Sequence, residues 1–263
     1  MIRIALSFCA LISATPAKAD LNEVAQLSVI PGWSTNEGTQ LAGLNISLAA
    51  GWKTYWRAPG DGGIPPVMFL EGAKNIETVR FHWPIPEVFE QNGMRSVGYM
   101  NGVVLPIELT PQTDGPIHLS GALQIGVCEE VCVPVTLSFD AVLQGNAQRD
   151  PLLLAALLDR PLNAAEAGVG NVICSIDPTS DGLRVKTTID LPPVGTIEAM
   201  VVETSDPSVW VSEAETQRNG GQITGTVEMV AGTGQAFALD RSSLRFTVIG
   251  QNQAVDIIGC SAG

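Results

Sequence analysis

The run Leu183-Arg-Val-Lys-Thr-Thr-Ile-Asp-Leu191 alternates apolar and polar residues, and that period of two constrains the fold more than any other feature. A strand turns alternate side chains to opposite faces, so such a run buries one face and wets the other. Related runs recur along the chain. In the first half they are Leu41–Leu48, Val103–Leu109, Ile117–Leu123 and Val133–Phe139; in the second half, Ile197–Glu203, Val209–Glu213, Ile223–Val230 and Leu244–Ile249. Glycine and proline punctuate them. Short strands at this spacing predict β-sandwiches rather than a parallel sheet with crossover helices. Trp56–Pro66 and Pro84–Asn101 read as long irregular loops, a length that compact domains often reserve for function.

One segment breaks the pattern. Asp150 precedes Pro151 and a Leu/Ala run through Leu158, so Asp150 is the expected N-cap and Pro151 the first helical residue. Its nearly continuous apolar character predicts a helix packed between two domains, with Asn163–Gly170 as the linker out of it. The expected division is 1–19 leader, 20–147 first sandwich, 148–170 helix and linker, and 171–263 second sandwich. The length of 263 residues suits two such domains. Aromatic residues concentrate in the first, which gives it either a ring-filled core or a rigid recognition surface.

The leader is read from Arg3, the apolar stretch Ile4–Ile12 and the small residues of Ala17-Lys18-Ala19, which predict export with cleavage near Ala19. The stretch is too short for a membrane span of about 20 residues, and Leu152–Leu158 is shorter still. The net charge of −13 becomes more negative once Arg3 and Lys18 leave. That excludes a nucleic-acid partner, which needs clustered Lys and Arg against phosphate. The sequence shows no nucleophile elbow, P-loop or dinucleotide fingerprint. No cofactor is expected. His82 and His118 read as surface or hydrogen-bonded residues, not protease bases.

With Cys9 in the leader, four cysteines remain: Cys128, Cys132, Cys174 and Cys260. An even number in an oxidising compartment predicts two disulfides. Cys128-Glu-Glu-Val-Cys132 lies between two strand-like runs, and a three-residue hairpin loop would set positions 128 and 132 opposite each other. Facing residues have Cα atoms about 4.5–5.5 Å apart, within reach of a disulfide. A Cys174–Cys260 bond would close a ring of roughly 87 residues and contribute about 4.6 kcal/mol in the loop-entropy account, against about 2 kcal/mol for the five-residue ring. Cys174–Cys260 therefore has the clear structural rationale. Spacing alone leaves Cys128–Cys132 open between exchange chemistry, a staple and a metal site. Two thiolates with Met94 or Met100 would suit Cu(I), whereas zinc lacks further ligands; no metal is assigned.

Several motifs in order resemble one family. Gly51-Trp-Lys-Thr-Tyr-Trp-Arg-Ala-Pro-Gly-Asp-Gly-Gly-Ile-Pro-Pro66, His82-Trp-Pro-Ile-Pro-Glu-Val-Phe89, Gly98-Tyr99, Val104-Leu-Pro106 and Val127-Cys-Glu-Glu-Val-Cys-Val-Pro134 are similar to the amino-terminal periplasmic domain of DsbD-type thiol:disulfide interchange proteins. The likeness covers roughly residues 25–140. The Cys-x3-Cys spacing resembles the ScsB-like branch, linked with copper tolerance. The resemblance implies an immunoglobulin-like sandwich with a redox-active disulfide in the periplasm. It further implies a thioredoxin-like electron donor, exported client proteins and a membrane electron-transfer protein as partners. The family's transmembrane and thioredoxin-like domains have no counterpart here, so those partners are expected as separate chains. Carried over by position, Cys132 forms the mixed disulfide and Cys128 resolves it. Phe89, then Tyr99, is the candidate for a cap over the disulfide. Tyr55 and Trp56 are expected on the same face, with core packing as the alternative for both. Glu129 and Glu130 between the cysteines disfavour a thiolate and make the pair relatively reducing. Disulfide exchange, a copper module and a structural adaptor thus stand as three readings, the first favoured by the family likeness.

Overall fold

In a computed structural model of the chain, residues 21–91, 93–232 and 237–263 are described; the expected leader lies outside them. After a single helical turn, α1 (Leu21–Val24), come β1 (Ala25–Ser34), β2 (Gln40–Leu48), β3 (Lys53–Tyr55), β4 (Val67–Phe69), β5 (Thr78–Phe81), β6 (Glu87–Gln91), β7 (Met94–Met100), β8 (Gly102–Thr110), β9 (Ile117–Cys128) and β10 (Cys132–Leu143). They form two sheets, ordered β1-β2-β8-β5 and β10-β9-β3-β7-β6, with β4 added beside β9. Alternation explains the packing. Along β9, Ile117, Leu119, Leu123, Ile125 and Val127 are buried in the core, while His118, Ser120 and Gln124 take the other face. Each such aliphatic side chain contributes about 1.5–3 kcal/mol on full burial.

The second sandwich repeats the architecture with different residues. Its strands are β11 (Leu162–Asn163), β12 (Val172–Pro178), β13 (Leu183–Asp190), β14 (Ala199–Glu203), β15 (Val209–Val211), β16 (Glu215–Asn219), β17 (Gln222–Ala231), β18 (Arg245–Ile249), β19 (Ala254–Ile258) and β20 (Ser261–Ala262). One sheet runs β11-β19-β18-β14, the other β15-β17-β13-β12-β20 with β16 also on β17. Phe246, Leu244, Ile189, Ile223 and Met229 fill the core between them. The protein is all-β, two immunoglobulin-like sandwiches joined by a short helix and linker.

Three expectations change. The stretch 84–101 is not a loop but the β6–β7 hairpin, paired from Glu87↔Gly98 to Gln91↔Met94; its polar and glycine content hid the alternation. The helix, α2 (Pro151–Leu158), starts where expected, with the Asp150 carboxylate accepting from the amides of Leu152 and Leu153 at 2.8 and 3.2 Å. It packs on β8 of the first sandwich through fully buried Leu153, beside Gly43, and leaves Leu152 and Leu158 exposed. It therefore covers one sheet instead of wedging between domains. Beyond it, Leu162–Asn163 pairs in parallel with Val255–Asp256, and Ala164, Ala167 and Val169 pack on the second core.

The sandwiches meet through a third apolar cluster and two arginines. Trp56, Val97 and Tyr99 pack with Ile249 and Ala254. Arg57 lies over the Trp56 ring, 3.8 Å from its centroid. It donates to both Glu203 carboxylate oxygens at 3.0 and 2.9 Å and to Thr247 Oγ1 at 3.2 Å. Arg95 pairs with Glu213 at 3.0 Å and donates to the Ala214 carbonyl at 3.5 Å.

Candidate functional site

The β9–β10 hairpin runs in unbroken register from Leu143↔Ile117 to Cys132↔Cys128. The turn Glu129–Val131 thus leaves the two cysteines face to face at the end of the ladder, Cα atoms 4.1 Å apart and joined as a disulfide. Val127 points into the core, so Cys128 points to the outer face of the sheet. There it is nevertheless buried, at 2% exposure, while Cys132 is exposed. The asymmetry is the main chemical fact of the site: only one sulfur is open to attack.

Strand β3 lies against this end of β9, with Lys53 paired in register to Cys128. Thr54 Oγ1 donates to the Gly126 carbonyl at 2.9 Å, tying β3 to β9. Tyr55 then lies on the outer face in a slot between Gly126 and Gly63. A Cβ at either glycine would come within 2.9 Å of the ring, so the slot requires glycine on both walls. The held ring delivers its hydroxyl to Cys132 Sγ at 2.9 Å, with the Gly62 carbonyl at 3.3 Å as second acceptor. Burial pushes the Tyr55 hydroxyl pKa up, so it stays a proton donor at neutral pH.

A cleft of about 80 Å³ opens at the disulfide, lined by Lys53, Tyr55, Gly62, Met94, Ser96, Cys128, Glu130 and Cys132. A larger groove of about 570 Å³ lies behind its wall, between the sandwiches. The arginines there are already paired with carboxylates, and no cysteine lines it, so the reactive chemistry belongs to the small cleft.

The expected aromatic residues separate. Tyr55 reaches the disulfide. Phe89 shares its sheet face, two strands away, but the ring stands 5.1 Å from the Lys53 ammonium and does not line the cleft. Trp56 and Tyr99, expected near the cap or partner surface, are instead buried between the sandwiches, at 0% and 6% exposure. The alternation of β7 is the reason: Ser96 turns to the disulfide face, Val97 and Tyr99 to the other. Tyr99 donates to the Pro84 carbonyl at 2.9 Å, and burial raises its pKa well above the ordinary value. Met94 lines the cleft; Met100 is not among its walls. His82 and His118 pair with Glu108 and Asp140, away from the cysteines. Cys174 and Cys260 are bonded across 86 residues, Cys174 fully buried. Among the described residues no cluster of three or more His, Cys, Asp or Glu could hold a metal, and no helix is long and apolar enough to cross a membrane.

Sequence reasoning passed over Lys53 and Ser96. Lys53 is 6% exposed, pairs in register with Cys128, and donates to Ser96 Oγ at 3.4 Å. Burial lowers its pKa. The signal was present in Lys53-Thr-Tyr55, where the strand period puts residues 53 and 55 on one face.

Comparison with known proteins now places the first sandwich. No curated protein matches the chain. The solved amino-terminal periplasmic domain of ScsB from Proteus mirabilis superposes with a TM-score of 0.68 at 22% identity, over 93% of this chain and 97% of that one; the likeness is one of fold across both sandwiches. A protein of unknown function from Porphyromonas gingivalis W83 gives only 0.23 at 12% identity, over 89% and 99%, and carries no argument. Residues 22–144 match the family described as thiol:disulfide interchange protein DsbD, N-terminal. The sandwich that carries Cys128 and Cys132 is a DsbD amino-terminal-type domain.

Proposed function

We propose that the chain is a periplasmic thiol–disulfide exchange protein that passes electrons through Cys128–Cys132 to exported clients. The observation that carries this is the pairing of an exposed, hydrogen-bonded Cys132 with a buried Cys128 in one cleft. A thiolate of a reduced, thioredoxin-like donor attacks Cys132 Sγ. The Cys128–Cys132 bond breaks, a donor–Cys132 bond forms, and Cys128 leaves as a thiolate. The donor's second thiolate attacks its own sulfur, forms the donor disulfide and releases Cys132 as a thiolate. The donor is oxidised by two electrons and this pair is reduced. Delivery reverses the roles: Cys132 attacks a client disulfide, and Cys128 closes the ring and frees the reduced client.

The test is exchange with the folded protein. Reduced thioredoxin, as a model donor, is expected to open Cys128–Cys132 and leave Cys174–Cys260 intact, read by mass after alkylation. A Cys128→Ser variant is expected to trap a mixed disulfide through Cys132. A bond that opens only on unfolding would refute the reading. A glutathione equilibrium as oxidising as that of DsbA would refute the reductive direction, which rests on Glu129 and Glu130 beside the cysteines.

A copper reading keeps one specific observation: Met94 lines the same cleft as both cysteines, and two thiolates with a thioether suit Cu(I). Stoichiometric Cu(I) binding by the reduced protein, lost in the double Cys→Ser variant, would favour it.

A further inference from the structure

The groove of about 570 Å³ between the sandwiches has the size of a ligand site, and the exchange steps above make no use of it. Two sheet edges line it. β14 and β15 each stand at the end of their sheet's strand order, and both border the groove. The edges touch at one point, where the Met200 amide donates to Thr216 Oγ1 at 3.0 Å. The ladder shows which way the backbone groups of β15 turn. The Gly232 amide donates to the Ser208 carbonyl and the Ser212 amide to the Glu228 carbonyl, both at 2.9 Å. Alternate residues of an antiparallel pair bond to the partner strand, so positions 208, 210 and 212 face β17. The carbonyl of Val209 and both backbone groups of Val211 therefore face the other side, where no strand lies among the described residues. Edges of this kind are commonly guarded by Lys, Pro or an inward charge. β15 is Val209-Trp-Val211 instead, and Trp210 is half exposed in the groove.

We propose that this groove is a peptide site that takes an extended, basic segment of a client protein as an added strand on β15. Strand addition satisfies the outward backbone groups of the edge, and pockets beside it select side chains. Charge decides what kind of segment fits. Asp61, Glu203, Asp206 and Glu213 line the groove against Arg57 and Arg95. Both arginines are engaged, Arg57 by Glu203 and Arg95 by Glu213, which leaves a surplus of carboxylate. An acidic segment is repelled and one carrying Lys or Arg is drawn in. A second copy of this chain, with a net charge of −13, meets the same repulsion. Trp210 offers the occupant a large, stiff apolar surface and an aromatic face for a cation. That the occupant is a client rests on the exchange reading. The segment 60–63 is a wall of both sites, Gly60 and Gly63 on the groove and Gly62 on the disulfide cleft. A chain held in the groove is thus held beside Cys132.

The test uses the full chain and a dye-labelled synthetic peptide of alternating lysine and valine, with binding read by fluorescence anisotropy. The peptide is expected to bind, and to bind more weakly as salt rises. The same peptide with glutamate for lysine, or with alternate amides N-methylated to block strand pairing, is expected to bind at least about tenfold more weakly. Trp210→Ala is expected to cost about tenfold or more in affinity, and Asp61→Lys, a surface change, several-fold. Circular dichroism verifies that each variant is folded. If the acidic or N-methylated peptide binds as well as the basic one, or neither substitution weakens binding, the peptide site falls while exchange stands. Self-association that the peptide displaces, seen by sedimentation, would give the groove to a second copy and overturn the proposal. Opening of Cys128–Cys132 by dithiothreitol is followed alongside. If the peptide binds but the disulfide of the folded protein never opens, exchange falls and the link to a client with it.

Discussion

The two disulfides differ in ring size by a factor that stability measurements resolve. Cys128–Cys132 spans a separation of 4 and Cys174–Cys260 one of 86. Constraint of the unfolded chain is worth about 2 kcal/mol for the short ring and about 4.6 kcal/mol for the long one. Besides the disulfide, a few backbone hydrogen bonds tie residues 259–263 to the second sandwich: the Gly259 amide donates to the Leu244 carbonyl at 2.8 Å and the Cys260 amide to the Arg241 carbonyl at 3.2 Å. β20 adds to β12 through the short register Ile173↔Ser261 and Cys174↔Ala262, with the Gly263 amide on the Cys174 carbonyl at 3.2 Å. Against a typical total of about 5–15 kcal/mol, losing the long ring is severe. Cys174→Ala with Cys260→Ala is therefore expected to lower the urea midpoint of the second sandwich by about 2 M or more, taking a urea slope of about 1–2 kcal/mol per M. Cys128→Ala with Cys132→Ala is expected to shift the first sandwich by about half as much or less. Trp210 is the only tryptophan in the second half of the sequence and is half exposed, so its fluorescence reports that sandwich; Trp33, Trp52, Trp56 and Trp83 report the first. If the 174/260 variant is no less stable than the 128/132 variant, with equal slopes, the division into a structural and a working disulfide is refuted.

Tyr55→Phe removes the hydroxyl on Cys132 Sγ. A hydrogen bond to a charged group is worth about 1.5–3 kcal/mol, at least a decade in thiolate fraction. The weaker base is the poorer nucleophile, with a sensitivity of about 0.4–0.5, so the net loss in attack rate by Cys132 at neutral pH is about threefold or more. Stopped-flow reduction of a model disulfide measures it, and an unchanged rate would dismiss the hydrogen bond as incidental. A third expectation concerns pH. The Thr39 hydroxyl, donating to Glu108 at 2.6 Å, holds that carboxyl below its ordinary value of 4.5; burial opposes, and His82 at 3.0 Å reinforces. A depressed folded pKa contributes stability that is present above the unfolded value and lost as pH falls through the folded one. Glu108→Gln is thus expected to lower Tm near neutral pH, with the gap to the unsubstituted protein closing below about pH 4. A gap that is constant with pH would mean that shape, not charge, is what Glu108 supplies.

The sequence made the sandwiches readable because their longest strands bury one face only. Leu183–Leu191 and Val133–Phe139 alternate cleanly, and their strands, β13 and β10, fall on those residues. β6 and β7 escaped for the opposite reason. Their residues include Glu87, Glu90, Arg95, Ser96 and Gly98, of which Ser96 lines the cleft and Arg95 reaches the second sandwich, so no single period shows. The hairpin at Cys128 was legible because a three-residue turn fits the spacing, while Pro134 and the β-branched neighbours disfavour the helix that the same spacing allows. Burial of Cys128 was not, because the strand beside it, β3, is a long-range partner that local pattern cannot supply. Trp56 and Tyr99 carried the right residue type for a recognition surface but are buried between the sandwiches, Tyr99 by the register of β7 and Trp56 just past the end of β3.

That same register gives the second sandwich a part in the cleft. The cleft wall is made by Gly62 of the segment after β3 and by Met94 and Ser96 of β7. Each stretch is anchored one or a few residues away by an arginine reaching across the interface: Arg57 to Glu203 and Thr247, Arg95 to Glu213 and the Ala214 carbonyl. The two stretches are joined to each other, the Val97 amide donating to the Pro59 carbonyl at 2.9 Å. The slot for Tyr55 tolerates little displacement, because its ring is in contact with Gly63 on one side and Gly126 on the other. A shift of the 58–63 segment would move the hydroxyl off Cys132. Anchoring that segment to a second folded body is a physical means of keeping the sulfur, its hydrogen-bond donor and the buried lysine in one arrangement. Arg57 suits the task better than a lysine would, since its planar fork meets both oxygens of Glu203 at once while its flat face rests on Trp56.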